Sequence, residues 1–216
     1  MKRRRYEMEE SDVRSAIEEL SMFRKMKPDG DFVPAKPFLD VCNLILQILD
    51  KIGPTMTVLR QDINQNIQRL EKFCESDPPL FSNLVEILKK ERDEGNARQV
   101  NSCSRAFVWL TRSMDFTVTL LQSLTKDPGK NMEQAVEESY NITLKPWHGW
   151  ISAAAFKVAL KLVPDNKTFI SLLTEKDDNY EIIKEDIETL ISLLLPLLEE
   201  IHSIMELHGL DKMKST

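Results

Sequence analysis

The chain has 216 residues, a formal net charge of −6 and 30% charged side chains, which is the size of one domain with a substantial core. Nothing in the acidic balance argues for a nucleic-acid-binding surface, and the single basic run, MKRRR at the N-terminus, reads as a solvated tail in preference to a nuclear address or a weak contact with anionic lipid. No stretch approaches the roughly 18 consecutive apolar residues of a membrane span, and the N-terminus carries no signal-peptide apolar core. A cytoplasmic location is expected, and Cys42, Cys74 and Cys103, without CxxC or HxC spacing, read as reduced and mostly buried thiols.

Apolar residues recur at three and four positions throughout, with no alternating strand runs, which predicts an all-α fold of about eight helices. Residues 1–35 read as an N-terminal extension, loosely ordered or partly helical, with a helix over about 11–26 closed by the polar linker KPDGDFVPAKP. The remaining domain, 36–216, begins with helices over about 37–52 and about 55–76, separated by IGP. SDPP supplies an N-cap and an early proline for a helix over about 79–94. Further helices follow over about 99–125, about 131–161 after KDPGKN, about 166–174 after VPDNKT, and about 178–208. In the last, Pro196 removes one backbone bond and predicts a kink.

The 55–76 helix carries an unusual polar stripe. Asp62, Asn66 and Arg69 line up beside the apolar stripe Leu59, Ile63, Ile67 and Leu70, while Asn64, Gln68 and Lys72 take the solvent side. An acid, an amide and a base at the edge of a buried face either bridge two helices or face a ligand. In the second case Asp62 and Arg69, two turns apart, hold each other's charge in the meantime.

On the 99–125 helix, Arg105, Trp109, Arg112 and Phe116 share one face. A helical Trp is ordinarily core filler, but an indole with a guanidinium one turn away also makes a plate for a sugar ring with donors for its oxygens. His202 and His208 lie on the last helix near its surface. His148, in KPWHGWISAAAF, sits between two tryptophans and reads either as a satisfied structural His or as a ligand contact. No GxSxG, HExxH, Walker or GxGxxG motif is present, so neither an enzyme nor a metal or nucleotide cofactor is expected.

DINQNIQRLEKF, WLTRSMDF and WHGW, in this order and separation, resemble the glycolipid transfer protein family, and the match to its plant-type members is close. The resemblance covers residues 36–215. It implies a two-layer helical sandwich enclosing a ceramide pocket, with a headgroup site at its mouth. Asp62, Asn66 and Arg69 would then hydrogen-bond a headgroup sugar, Trp109 would stack on it, and His148 would bond the ceramide amide carbonyl. Asp62 would also accept from the amide N–H. Leu49, Met56, Leu59, Phe116, Leu120, Phe156 and Val158 are implied to line the pocket, although plain core explains each equally well. Trp150 would touch the membrane, with Trp147 on the same aromatic rim and Lys145 and Lys157 nearby.

Three departures from the family pattern matter. Arg105 stands where carriers of neutral glycolipids have an uncharged residue and carriers of ceramide-1-phosphate have Arg. Pro146 precedes WHGW where Lys is usual, which predicts a bent helix around His148. No tyrosine occurs in the C-terminal DKMKST. The implied protein is a monomeric, soluble intermembrane carrier of a sphingolipid, most readily a glycosylceramide, with transient peripheral membrane contact and no nucleic-acid partner. The alternatives are a carrier of ceramide-1-phosphate or another anionic sphingolipid using Arg105, and a lipid sensor or adaptor that contacts protein partners through residues 1–35. A hydrolase using His148 and Asp62 lacks a nucleophile.

Overall fold

The structure is a computed structural model that describes residues 12–26, 31–173 and 180–215, and every regular element among them is helical. In chain order these are α1 (Asp12–Met26), α2 (Ala35–Ile52), a 3-10 turn (Pro54–Met56), α3 (Thr57–Ser76), α4 (Pro78–Phe81), α5 (Leu84–Asp93), α6 (Cys103–Lys126), α7 (Met132–Thr143), α8 (Trp150–Leu160), α9 (Asn166–Leu173) and α10 (Tyr180–Leu207). The all-α expectation holds, but two of the expected helices are each broken in two.

The first break is made by Asn83. Its side-chain oxygen accepts from Val85 N–H at 3.1 Å and from Val33 N–H at 2.9 Å, while its amide nitrogen donates to Asp31 O at 3.2 Å. One residue thus caps α5 and pins the segment that leads into α2. The second break replaces the expected continuous helix over 131–161. The chain leaves the helix after Thr143 and resumes it at Trp150, with Pro146, which has no N–H to give, inside the interruption. The turn closes through Trp147 and His148 N–H bonds to Leu144 O at 3.0 and 3.1 Å. Trp147 and His148 therefore project from a turn instead of a helix face.

α6 is the central helix and packs against α3, α5, α7 and α10. Its first turns are buried on every side, from Cys103 to Val108, as expected of a helix surrounded by others. Phe107 stacks on Phe38 of α2 with ring centroids 5.1 Å apart. α1 lies against α2 and α10, burying Ala16 and Leu20 and tying Arg14 Nε to Asp186 at 2.9 Å. α10 runs through Pro196 as one helix; Ser192, whose carbonyl loses its partner there, is exposed, as is Pro196.

α10 is also joined to α6 by His202 Nε2, 2.9 Å from Asp115 Oδ1. The bond to Asp115 raises the His202 pKa above its ordinary 6.5, against burial and the field of Arg112. A raised folded-state value means that the pair stabilises fully below the unfolded pKa and that this contribution is lost as pH rises through the folded one. His148 and His208 are shifted down by burial and act in the opposite sense. We therefore expect the thermal stability difference between the parent and His202→Gln to shrink from about pH 6 to about pH 8. A difference that stays constant over that range would show that the pair carries no charge-dependent stability.

Candidate functional site

The site is set by how α6 begins. Glu91 of α5 is buried, and its two carboxylate oxygens accept from the N–H groups of Cys103 at 2.8 Å and Ser104 at 2.6 Å. Ser102 Oγ accepts from Arg105 N–H at 3.0 Å. A buried carboxylate and a hydroxyl thus satisfy three of the four donors that a helix start leaves over, and the negative charge meets the positive end of the helix. This fixes where Arg105, Trp109 and Arg112 come out along α6.

α3 runs beside it. Asn66 is buried and its Oδ1 accepts from Arg69 Nη1 at 3.3 Å, while Cys103 Sγ lies 3.7 Å from Arg69 O and ties the two helices together. Asp62 is exposed at the rim, yet the protein on its inner side raises its carboxyl pKa, opposed by the charges of Arg69 and then Arg105. Arg69 acts on Asp62 through its field; the hydrogen bond it makes is to Asn66. Asp62 and Arg105 belong to one electrostatic neighbourhood although they sit on different helices.

Arg112 is only 2% exposed. Nη1 donates to Met213 O at 2.6 Å and Nη2 to Asp211 O at 3.0 Å. Its guanidinium carbon lies 4.9 Å from the Trp109 ring centroid and 4.2 Å from that of Trp147. Two indole faces and two carbonyls replace the lost water. Burial brings its pKa down to about 10, so it stays charged at neutral pH. Trp147, expected on the membrane rim beside Trp150, is instead half-buried on this cation.

His148 brings the turn onto the same plate, its ring 5.5 Å from that of Trp109 and tilted by 37°. Burial, and then Arg112, shift its pKa down, so the imidazole is neutral at pH 7. The Tyr140 hydroxyl lies 3.2 Å from Nδ1, and Tyr140 itself stacks on Phe156 with centroids 3.5 Å apart. When that hydroxyl donates to Nδ1, the ring proton resides on Nε2, a donor facing away from Tyr140. Arg105 is buried as well and donates from Nη2 to Lys214 O at 3.2 Å.

The expected lining residues divide. Leu49, Met56 and Leu120 are buried, and Phe116 and Phe156 partly so, but Leu59 and Val158 are surface residues, 41% and 66% exposed. None of these seven lines the apolar cavity between α1, α2, α6 and α10, which is walled by residues such as Val13, Leu44, Ile48, Met114 and Leu190 and holds about 20 Å3. α8 turns outward: Trp150 is 82% exposed and Ile151 57% exposed, with Lys145 and Lys157 also exposed. Sequence reading missed Glu91, Tyr140 and the tail from Asp211 to Ser215. Tyr140 lies eight residues before His148, across the break between α7 and α8; the tail reaches Arg105 and Arg112 through backbone carbonyls, which leave no side-chain pattern.

The family model for Glycolipid transfer protein (GLTP) matches residues 33–175. Glycolipid transfer protein 3 of Arabidopsis thaliana is 58% identical to this chain, over 100% of both. The solved structure on how FAPP2 selects simple glycosphingolipids using the GLTP-fold matches with a TM-score of 0.78 at 26% identity, covering 88% of this chain and 92% of that one. A mutant of Arabidopsis ACD11 complexed with C12 ceramide-1-phosphate matches with a TM-score of 0.82 over 94% and 98% of the two chains, at 16% identity a likeness of fold alone. The helical architecture is therefore the GLTP fold. The chain belongs to the glycolipid transfer protein family. Among the described residues no helix is long and apolar enough to cross a membrane.

Proposed function

We propose that the protein is a soluble, cytoplasmic, monomeric carrier that moves one sphingolipid at a time between membranes, with a glycosylceramide as its cargo and no chemical step. The observation that carries this reading is the convergence on Trp109 of His148 from the α7–α8 turn and Arg112 from its own helix, with the Asn66–Arg69 pair on α3, which packs against α6. The exposed part of the indole offers an apolar plane to a sugar ring, and Asp62, Asn66 and Arg69 offer an acceptor, an amide and a forked donor for its hydroxyls. His148 Nε2–H is a donor for the ceramide amide carbonyl, and Asp62 is an acceptor for the amide N–H. These groups select the headgroup, because the tails look alike to any apolar sleeve.

A ceramide has on the order of thirty methylenes, each favouring an apolar surrounding by about 0.8 kcal/mol, so the chains do not leave a bilayer unaided. A 20 Å3 cavity has room for about one water. Admission of the chains therefore requires the helices around that cavity to part. Docking falls to Trp150 and Ile151, with Lys145 and Lys157 near anionic headgroups. A small patch of this kind binds weakly and reversibly, as a carrier that must leave the membrane requires.

A second reading, an anionic sphingolipid as cargo, is favoured by one specific observation. Arg105 and Arg112 are buried with backbone carbonyls as their hydrogen-bond acceptors, and a sulfate or phosphate on the headgroup would compensate Arg105. Native mass spectrometry of the purified protein tests both readings. A retained glycosylceramide is the expected result, a retained ceramide-1-phosphate would favour the second, and retention of glycerophospholipids alone would overturn both. Incubation with glucosylceramide is expected to yield no product, and release of ceramide would overturn the non-enzymatic reading.

A further inference from the structure

The chain's last described residues close over the site through an arrangement that the carrier reading does not itself require. Ser215 N–H donates to Trp147 O at 2.9 Å, and Ser215 Oγ accepts from Gly149 N–H at 2.6 Å. These two bonds bracket the backbone on either side of His148. The residues just before them supply Lys214 O to Arg105 and Met213 O and Asp211 O to Arg112. Met213 is buried and anchors the segment from below. One short strap thus holds the imidazole turn and occupies donors of two cations at once.

We infer that Ser215 latches this strap and that the latched strap sets the headgroup selectivity of the site, favouring neutral over anionic sphingolipids. The inference rests on the carrier reading above. In the latched state the Lys214 carbonyl takes up an Arg105 donor, and a neutral sugar, which needs no free guanidinium there, loses nothing. An anionic headgroup must compete with that carbonyl for Arg105. When the latch is undone, the segment beyond Met213 is released, Arg105 recovers its donor, and a sulfate or phosphate ester gains a charge-assisted partner that a sugar hydroxyl cannot exploit to the same degree. Ser215 is a positioning residue in this scheme and touches no ligand.

The test compares the full-length parent with Ser215→Pro, which removes both the N–H and the hydroxyl of the bracket while leaving Met213 in place. Ser215→Thr keeps both bonds and serves as the conservative control. Uptake of glucosylceramide, sulfated galactosylceramide and ceramide-1-phosphate from neutral phosphatidylcholine vesicles is measured for each, and the two anionic lipids separate a sulfate from a phosphate source. The expected result is a rise of about five- to ten-fold in the anionic-to-neutral uptake ratio for Ser215→Pro, the size of one hydrogen bond's worth of discrimination. Ser215→Thr keeps the parental ratio, and adding Arg105→Leu to Ser215→Pro cancels the rise. A merely structural role would lower uptake of all three lipids in parallel, and that outcome, or an unchanged ratio, overturns the inference. If Ser215→Pro loses its helical circular dichroism, Ser215→Ala decides, because it removes only the Gly149 bond; a ratio equal to the parent's overturns the proposal. A parent that takes up none of the lipids would instead sink the carrier reading itself, and this inference with it.

Discussion

Trp109→Ala is expected to lower the rate of glucosylceramide transfer between vesicles by about thirty-fold or more, while the chain stays folded. The half-buried indole meets the His148 ring at 5.5 Å, the Arg112 guanidinium at 4.9 Å and, on the proposed function, the sugar. Ring stacking contributes about 0.5–1.5 kcal/mol, and the hydrogen bond from His148, whose ring rests against Trp109, about 0.5–1.5 kcal/mol more. Loss of about 2 kcal/mol of headgroup binding corresponds to roughly thirty-fold. Trp109→Phe keeps a smaller plane and should retain most of the transfer. Because Arg112 still has Trp147 and the two tail carbonyls, the Ala variant should unfold within a few degrees of the parent. Transfer at the parental rate by a folded Trp109→Ala would mean that the sugar stacks elsewhere or that the cargo has none.

The helices were readable because their signals are local. The apolar face of α3, Ile63, Ile67 and Leu70, recurs at helical spacing, and those same residues are buried. Where the expectation failed, a single side chain acting across the fold was responsible. Asn83 looks like an ordinary polar residue inside the 79–94 stretch, and its hydrogen bonds to Val33 and Asp31, some fifty residues away in sequence, break the helix there. The Pro146 break was half legible. Proline announces a bend, but the length of the interruption depends on the Leu144 carbonyl receiving both Trp147 and His148 N–H groups.

The candidate site divides along the same line. The polar stripe of α3 and the cationic face of α6 can be read from spacing and from the family resemblance. The partners that give those groups their character cannot. Arg112 was visible as a neighbour of Trp109, yet its burial between two indoles depends on Trp147 arriving from the α7–α8 turn and on carbonyls from the tail. Exposure is a second limit. Leu59 and Val158 satisfy the apolar pattern of their helices but lie on the surface, since a pattern reports a face and not what covers it.

The largest loss of stability is expected from Glu91→Ala, at about 3 kcal/mol, or a fall in Tm of about 6–12 °C for a chain of this size. The carboxylate is buried and receives two backbone N–H bonds, 2.8 and 2.6 Å long, at the positive end of α6, whose first turns are buried. Alanine leaves the Cys103 and Ser104 donors buried without their acceptors. Glu91→Gln retains one acceptor and one of the two bonds, and should cost about half as much. The consequence reaches the site, because the same cap sets the register of Arg105, Trp109 and Arg112. Urea titration of the two variants gives the stabilities, and vesicle transfer measured well below their melting temperatures separates the two effects. Reduced transfer in the folded Glu91→Gln protein would show that the α6 cap positions the headgroup contacts as well as holding the fold, and parental stability in Glu91→Ala would show that the α6 donors find other acceptors.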